Sequence, residues 1–157
     1  MGTVLMRTFK YVVAAAAMIA GTNLAMAADT PPDHVKIVDG KVMASLTGKP
    51  GDPAAGRKFF SDKKLGNCLA CHANKEMSDQ LFHGEIGPSL DGVAERWSPQ
   101  QLRAILVNSK AVFGDETVMP GFYSLKVGKD VRKDLVGKTI LTAEQVEGIV
   151  AYLSSLK

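Results

Sequence analysis

The chain has 157 residues, 46% of them apolar and 22% charged, with a formal charge of +3. That length supports one domain around a single core and is too short for two substantial domains. Only two cysteines are present, which excludes a four-cysteine zinc site.

The first segment reads as an export signal. Arg7 and Lys10 precede an apolar run from Val12 to Ile19, and Ala25-Met26-Ala27 forms a small-x-small cleavage pattern. The apolar run is short for a membrane span, which needs about 20 residues. A retained anchor is the alternative, and the cleavage pattern argues against it. Residues 1–27 are therefore expected to be removed, leaving no membrane anchor and a mature chain from Ala28 outside the cytoplasm. Removal takes away Arg7 and Lys10, leaving 17 basic against 16 acidic residues and a charge of +1. Overall basicity is then no argument for nucleic acid, and no nucleic-acid partner is expected.

Residues 28–50 read as an extended arm. Pro31-Pro32 and the apolar residues Val35, Ile37 and Val38 make a loose lead-in, broken by Gly48 and Pro50. The domain proper is expected over 51–157. Asp52 caps a helix that has Pro53 in its first turn and runs to about Leu65, where Gly66 stops it. A second helix is expected from about Ser98 to Ser109. Ser98 and Gln101 form its capping box, Leu102, Ile105 and Leu106 its apolar face, and Trp97 stands at the staple position. A terminal helix follows the Thr142–Gln145 capping box, with Val146, Ile149, Val150 and Leu153 on one face. Gly148 inside that helix costs about 0.8–1 kcal/mol relative to alanine. Close approach of another helix would offset that cost, with Gly56 on the opposing side and Phe60 meeting Ile149 and Tyr152. The alternative is two amphipathic helices with separate apolar faces.

Between the first and second helices lies Cys68-Leu69-Ala70-Cys71-His72. This order is the c-type haem attachment sequence. Each thiol can add to a porphyrin vinyl group, and His72 is then placed as proximal iron ligand. A redox dithiol would want a strand before the motif, which the Gly-rich lead-in does not supply. One motif means one covalent haem.

The other axial ligand is reached by elimination. Once the signal is removed, Met43, Met77 and Met119 are the methionines, and His34 and His83 the other histidines. Met77 follows His72 too closely to cross to the distal face, whereas Met43 lies before the first helix and could wander. Met119 lies in Thr117-Val118-Met119-Pro120-Gly121, a loop in which proline and glycine relieve helix constraints. Met119 is the expected sixth ligand. A ligating histidine passes its second ring N–H to an acceptor, and the carbonyl of Pro88 in Gly87-Pro88-Ser89-Leu90 is suited to that. By sequence alone, Gly-Pro also reads simply as a turn. Lys126, Lys129, Arg132, Lys133 and Lys138 form a late basic segment, either a docking surface or ordinary solvated chain.

In this order, the CxxCH motif, Gly-Pro-x-Leu, the Met-Pro loop and the terminal helix ending Ala151-Tyr152-Leu153 resemble the class I cytochromes c. That resemblance implies an all-α fold in which the N- and C-terminal helices cross around one covalent haem c, with Pro88 as the carbonyl that meets the haem histidine. Gly66 to His72, Gly84 to Leu90, Asn108-Ser109-Lys110 and Leu141 to Lys157 are further similar to the SoxX family of small mono-haem subunits. This second resemblance implies a periplasmic electron-transfer subunit paired with a SoxA-like cytochrome. It also implies transient contact with a SoxY–SoxZ carrier and a downstream electron acceptor. The bond-forming site of such an L-cysteine S-thiosulfotransferase complex belongs to the partner, so no catalytic residue is expected here. The competing reading is an autonomous periplasmic electron shuttle.

Overall fold

The computed structural model describes residues 28–157 apart from 127 and 129. The expected export signal and Lys129 therefore lie outside the described residues. Among the described residues four α-helices carry the fold: α1 (Pro53–Ser61), α2 (Val93–Arg96), α3 (Pro99–Phe113) and α4 (Ala143–Leu153). Short 3-10 turns fill the connections. Among the described residues the pairing of Val38 with Lys41 is an isolated bridge rather than a sheet, so the fold is all-α, as expected of a class I cytochrome c.

Local chemistry starts each main helix. Asp52 Oδ1 accepts from the Ala54 amide at 2.9 Å, ahead of Pro53 in the first turn. Ser98 with Gln101 and Thr142 with Gln145 form complete capping boxes. Helix α1 ends at Ser61, short of Leu65. Asp62 Oδ1 accepts from the Lys64 amide at 2.8 Å, offering the backbone a turn in competition with the helix. Helix α3 runs past Ser109 to Phe113, with non-helical backbone at Asn108. The one-turn helix α2 has no expectation behind it. It starts after Gly92 in the left-handed region and is tied to the C-terminus by the Ala94 amide donating to Leu156 O at 3.0 Å.

Helices α1 and α4 form the main helix pair. Gly56 and Gly148 lie at their crossing, where a Cβ on Gly56 would stand 1.8 Å from Gly148 O. One turn along, the rings of Phe60 and Tyr152 meet edge to face at 5.6 Å. The core continues through Leu102, Leu106, Val146, Ile149, Val150 and Leu153.

A buried ion pair joins α3 to α4. Arg103 Nε and Nη2 donate to the two carboxylate oxygens of Glu147 at 2.7 and 2.9 Å. The residues are only 8% and 2% exposed. Their remaining polar capacity ties down the segment before α1: Arg103 Nη1 donates to Val42 O at 2.9 Å, and Glu147 Oε1 accepts from the Leu46 amide at 2.9 Å. Val42 and Leu46 are themselves buried. Within the stretch read as an extended arm, residues 42–46 are thus packed against α3 and α4.

Candidate haem-binding site

The CxxCH segment is built on a single tight turn. Asn67 is left-handed at φ 47°, ψ 50°, a conformation asparagine tolerates. The turn Cys68–Ala70 then closes with the Cys71 and His72 amides donating to Cys68 O at 3.1 and 3.0 Å. Residues three apart eclipse in such a turn, which brings Cys68 and Cys71 to one side. Burial pushes the Cys68 thiol up to about 12.

A second segment is stitched alongside the first. The amides of Gly84, Gly87 and Leu90 donate to the carbonyls of Leu69, Cys71 and Ala73 at 2.7, 2.8 and 2.9 Å. This places Pro88 O 2.8 Å from His72 Nδ1. A carbonyl only accepts, so Nδ1 carries the proton and the Nε2 lone pair is left for another partner. Gly87 faces the imidazole so closely that a Cβ would fall 2.3 Å from His72 Cε1. Here glycine is required by the ring beside it, a contact that the turn reading of Gly-Pro misses.

Cys68, Cys71, His72, Pro88 and Met119 all line one cavity of about 660 Å³. Its other walls are mainly apolar: Phe60, Leu90 and Val93, the α3 residues Leu102, Ile105 and Leu106, and Leu153 of α4. Trp97 lines it too and meets Phe113 edge to face at 5.9 Å. At the rim Ile86, Phe113 and Val118 are exposed apolar residues.

The other ligand candidates lie elsewhere. Met43 is exposed and Met77 is fully buried in the core. His83 is occupied on both ring nitrogens: Nδ1 accepts from the Asn74 amide at 3.3 Å and Nε2 lies 3.0 Å from Met77 O. His34 is exposed beside Asp33. In the late basic segment Arg132 is paired with Asp134 through two bonds of 2.7 and 2.9 Å, while Lys126, Lys133 and Lys138 are exposed.

Behind the motif is a polar network not visible in the sequence. Asn74 Nδ2 donates to Tyr152 Oη at 2.8 Å, and the Tyr152 hydroxyl donates to Glu76. Glu76 and Asp79 in turn receive Arg57 at 3.2 and 2.7 Å. Burial and the bond to Glu76 raise the Tyr152 phenol above its ordinary range. The network ties the segment after His72 to both crossing helices.

Residues 53–157 match the family model described as Cytochrome c. The chain belongs to the cytochrome c family. A chain in the solved structure of SoxXA from P. pantotrophus is 41% identical to this cytochrome c. The two superimpose with a TM-score of 0.76, over 83% of this chain and 99% of the other. The cytochrome is therefore of the SoxX type. The c-type cytochrome SorU from Sinorhizobium meliloti aligns at 24% identity with a TM-score of 0.42, over 66% of this chain and 87% of the other, too loose to add to the assignment. No curated protein matches.

Membership of this family implies a covalent haem c, and the residues present fit one. Two thiols on one side of a turn, an imidazole whose Nε2 is freed by Pro88 O, and a methionine thioether border a single cavity with apolar walls. No charged side chain lines it among the described residues. Among those residues, no helix is long and apolar enough to cross a membrane.

Proposed function

We propose that this cytochrome is the electron-accepting subunit of a periplasmic thiosulfate-oxidising complex. In this reading residues 1–27 are an export signal, 28–50 an arm and 51–157 the haem domain. Cys68 and Cys71 would hold the haem by thioethers, and His72 and Met119 are the residues that would ligate its iron. Pro88 fixes the tautomer and orientation of His72 through the 2.8 Å contact to Nδ1.

The observation that carries the proposal is the 41% identity to a chain of SoxXA over 99% of that chain. By analogy the partner is a SoxA-like cytochrome, which holds the bond-forming site. Joining a carrier cysteine thiolate to the terminal thiolate sulfur of thiosulfate makes one S–S bond and releases two electrons. When bound, the haem supplies a one-electron couple. The two electrons therefore pass through this chain singly, each on to a downstream acceptor.

The chain's own residues suit that task. His72 and Met119, both lining the cavity, would together fill the iron's two open positions, and electron transfer would then be outer-sphere. The apolar walls from α3 and Leu153 offer a haem a mainly apolar setting. Exposed Ile86, Phe113 and Val118 make the rim the surface where a partner comes nearest. Lys126 and Lys133 add a charged surface that tunes encounter and orientation.

The test is reconstitution with a purified SoxA-like cytochrome and the SoxY–SoxZ carrier. Thiosulfate should reduce this chain only when both are present, and this chain should copurify with the SoxA-like subunit. Failure to copurify, with reduction by unrelated donors, would instead make it an autonomous shuttle. Lys126→Glu with Lys133→Glu should slow the reduction most at low ionic strength and leave the absorption spectrum unchanged.

A further inference from the structure

Helix α3 does not run unbroken to Phe113. At Asn108 the backbone leaves the helical region, with φ −155° and ψ 89°. Asn108 Oδ1 accepts from the Ala111 amide at 3.4 Å, the bond an N-cap residue makes three positions on. The helix thus stops and restarts. The carbonyls just before the break, Leu106 and Val107, accept from the amides of Phe122 and Tyr123 at 2.9 and 3.2 Å. The chain leaving the Met119 loop is bonded into the break.

The restart aims two consecutive side chains at that loop. Ser109 is fully buried, and its Oγ donates to Met119 O at 2.5 Å. Serine within a helix commonly bonds a carbonyl one turn back; Ser109 reaches across to the loop instead. Lys110 Nζ donates to Asp115 O at 2.9 Å and Thr117 O at 2.7 Å. Pro120 fixes its own φ and has no N–H to donate. Gly121 lies tight against α3, where a Cβ would be 3.1 Å from Val107 O.

We propose that Ser109 is a positioning residue for the sixth ligand: it pins the Met119 backbone and so sets how firmly the thioether stays on iron. The inference rests on reading Met119 as that ligand. A neutral thioether has no charge to hold it in place. Its bond then depends on the loop keeping the sulfur in position, as supporting hydrogen bonds do for other metal ligands.

The test uses the holoprotein of wild type, Ser109→Ala, Ser109→Thr and Met119→Ala. The readouts are the sulfur-to-iron charge-transfer band of the oxidised form as pH rises and carbon monoxide uptake by the reduced form. Ser109→Ala removes the hydroxyl that donates to the part-buried Met119 carbonyl. It should keep the band at neutral pH, lose it at lower pH than wild type, and take up carbon monoxide about tenfold faster, the scale of one such bond. Ser109→Thr, which keeps the hydroxyl, should restore both readouts. Met119→Ala should lack the band at every pH. If Met119→Ala keeps the band, the ligand assignment fails and the positioning role falls with it. If Met119→Ala loses the band while Ser109→Ala matches wild type in both readouts, the ligand stands and the positioning role is overturned, whatever the variant's stability to denaturant.

Discussion

Gly56 meets Gly148 backbone to backbone, and the fit is asymmetric. A Cβ on Gly56 would lie 1.8 Å from Gly148 O, whereas one on Gly148 would lie 3.3 Å from Gly56 Cα. Backbone cannot swing aside as a side chain can, so Gly56→Ala must push α1 and α4 apart. Overpacking of this kind costs about 1–3 kcal/mol. Gly148→Ala should cost less, because alanine recovers about 0.8–1 kcal/mol of helix propensity. Guanidinium unfolding of the two holoproteins checks the order. Equal midpoints, or an unaffected Gly56→Ala, would contradict the crossing geometry.

The Arg103–Glu147 pair should behave as a buried ion pair that is costly to break from one side. Removing one partner strands the other charge, at about 3–5 kcal/mol. Glu147→Ala also leaves the Leu46 amide without its acceptor. We expect Glu147→Ala to be as damaging as the largest core truncations and to loosen residues 42–46. Amide hydrogen exchange over that stretch is the direct readout, and protection equal to wild type would rule out the anchoring role.

Elements governed by local chemistry were readable in advance. Asp52, Ser98 and Thr142 start helices because their side chains accept from amides two or three residues on. The CxxCH motif is equally local, and Met119 lines the same cavity as that motif while Met43, Met77 and His83 do not. Contacts between distant segments were not readable. Arg103 and Glu147 are 44 positions apart, and nothing in either neighbourhood names the other. The signal that was available is one-sided: Glu147 falls on the same helical face as Ala143, Val146 and Val150, so a charge in core register called for a partner. Asn108 hid its break because asparagine is unremarkable at one helix position. Gly87 read as half of a turn, because the ring that demands it belongs to another segment.

Gly87→Ala should disturb His72 directly. The added Cβ would overlap the ring at 2.3 Å from Cε1, and a ring forced to turn loses the Nδ1 contact to Pro88 O. The reduction potential of the holoprotein should shift, since hydrogen bonding to an axial ligand tunes it. Pro88→Ala keeps a carbonyl at that position and should shift the potential less. A larger shift for Pro88→Ala than for Gly87→Ala would contradict the contact.

Acid should destabilise the fold through three carboxylates held below their ordinary range. The amide of Gln80 and then Arg57 lower Asp79, the backbone N–H of Lys75 lowers Asp91, and Arg132 lowers Asp134. A depressed folded pKa contributes stability above the unfolded value of about 3.9, and that contribution is lost as pH falls through the folded value. Asp79 and Asp134 are exposed and Asp91 is half-buried at the surface, so each contribution is small and screened by salt. Denaturation midpoints should therefore decline below about pH 4, more shallowly in Asp91→Asn. Parallel declines in the two proteins would remove Asp91 from the account.

The intact mass of the exported protein after acid–acetone extraction tests the central claim, an exported chain carrying one thioether-bound haem at Cys68 and Cys71. The account predicts a single species, the chain from Ala28 plus one haem that extraction does not remove. A haem that extracts freely, or a mass without one haem per chain, would contradict it.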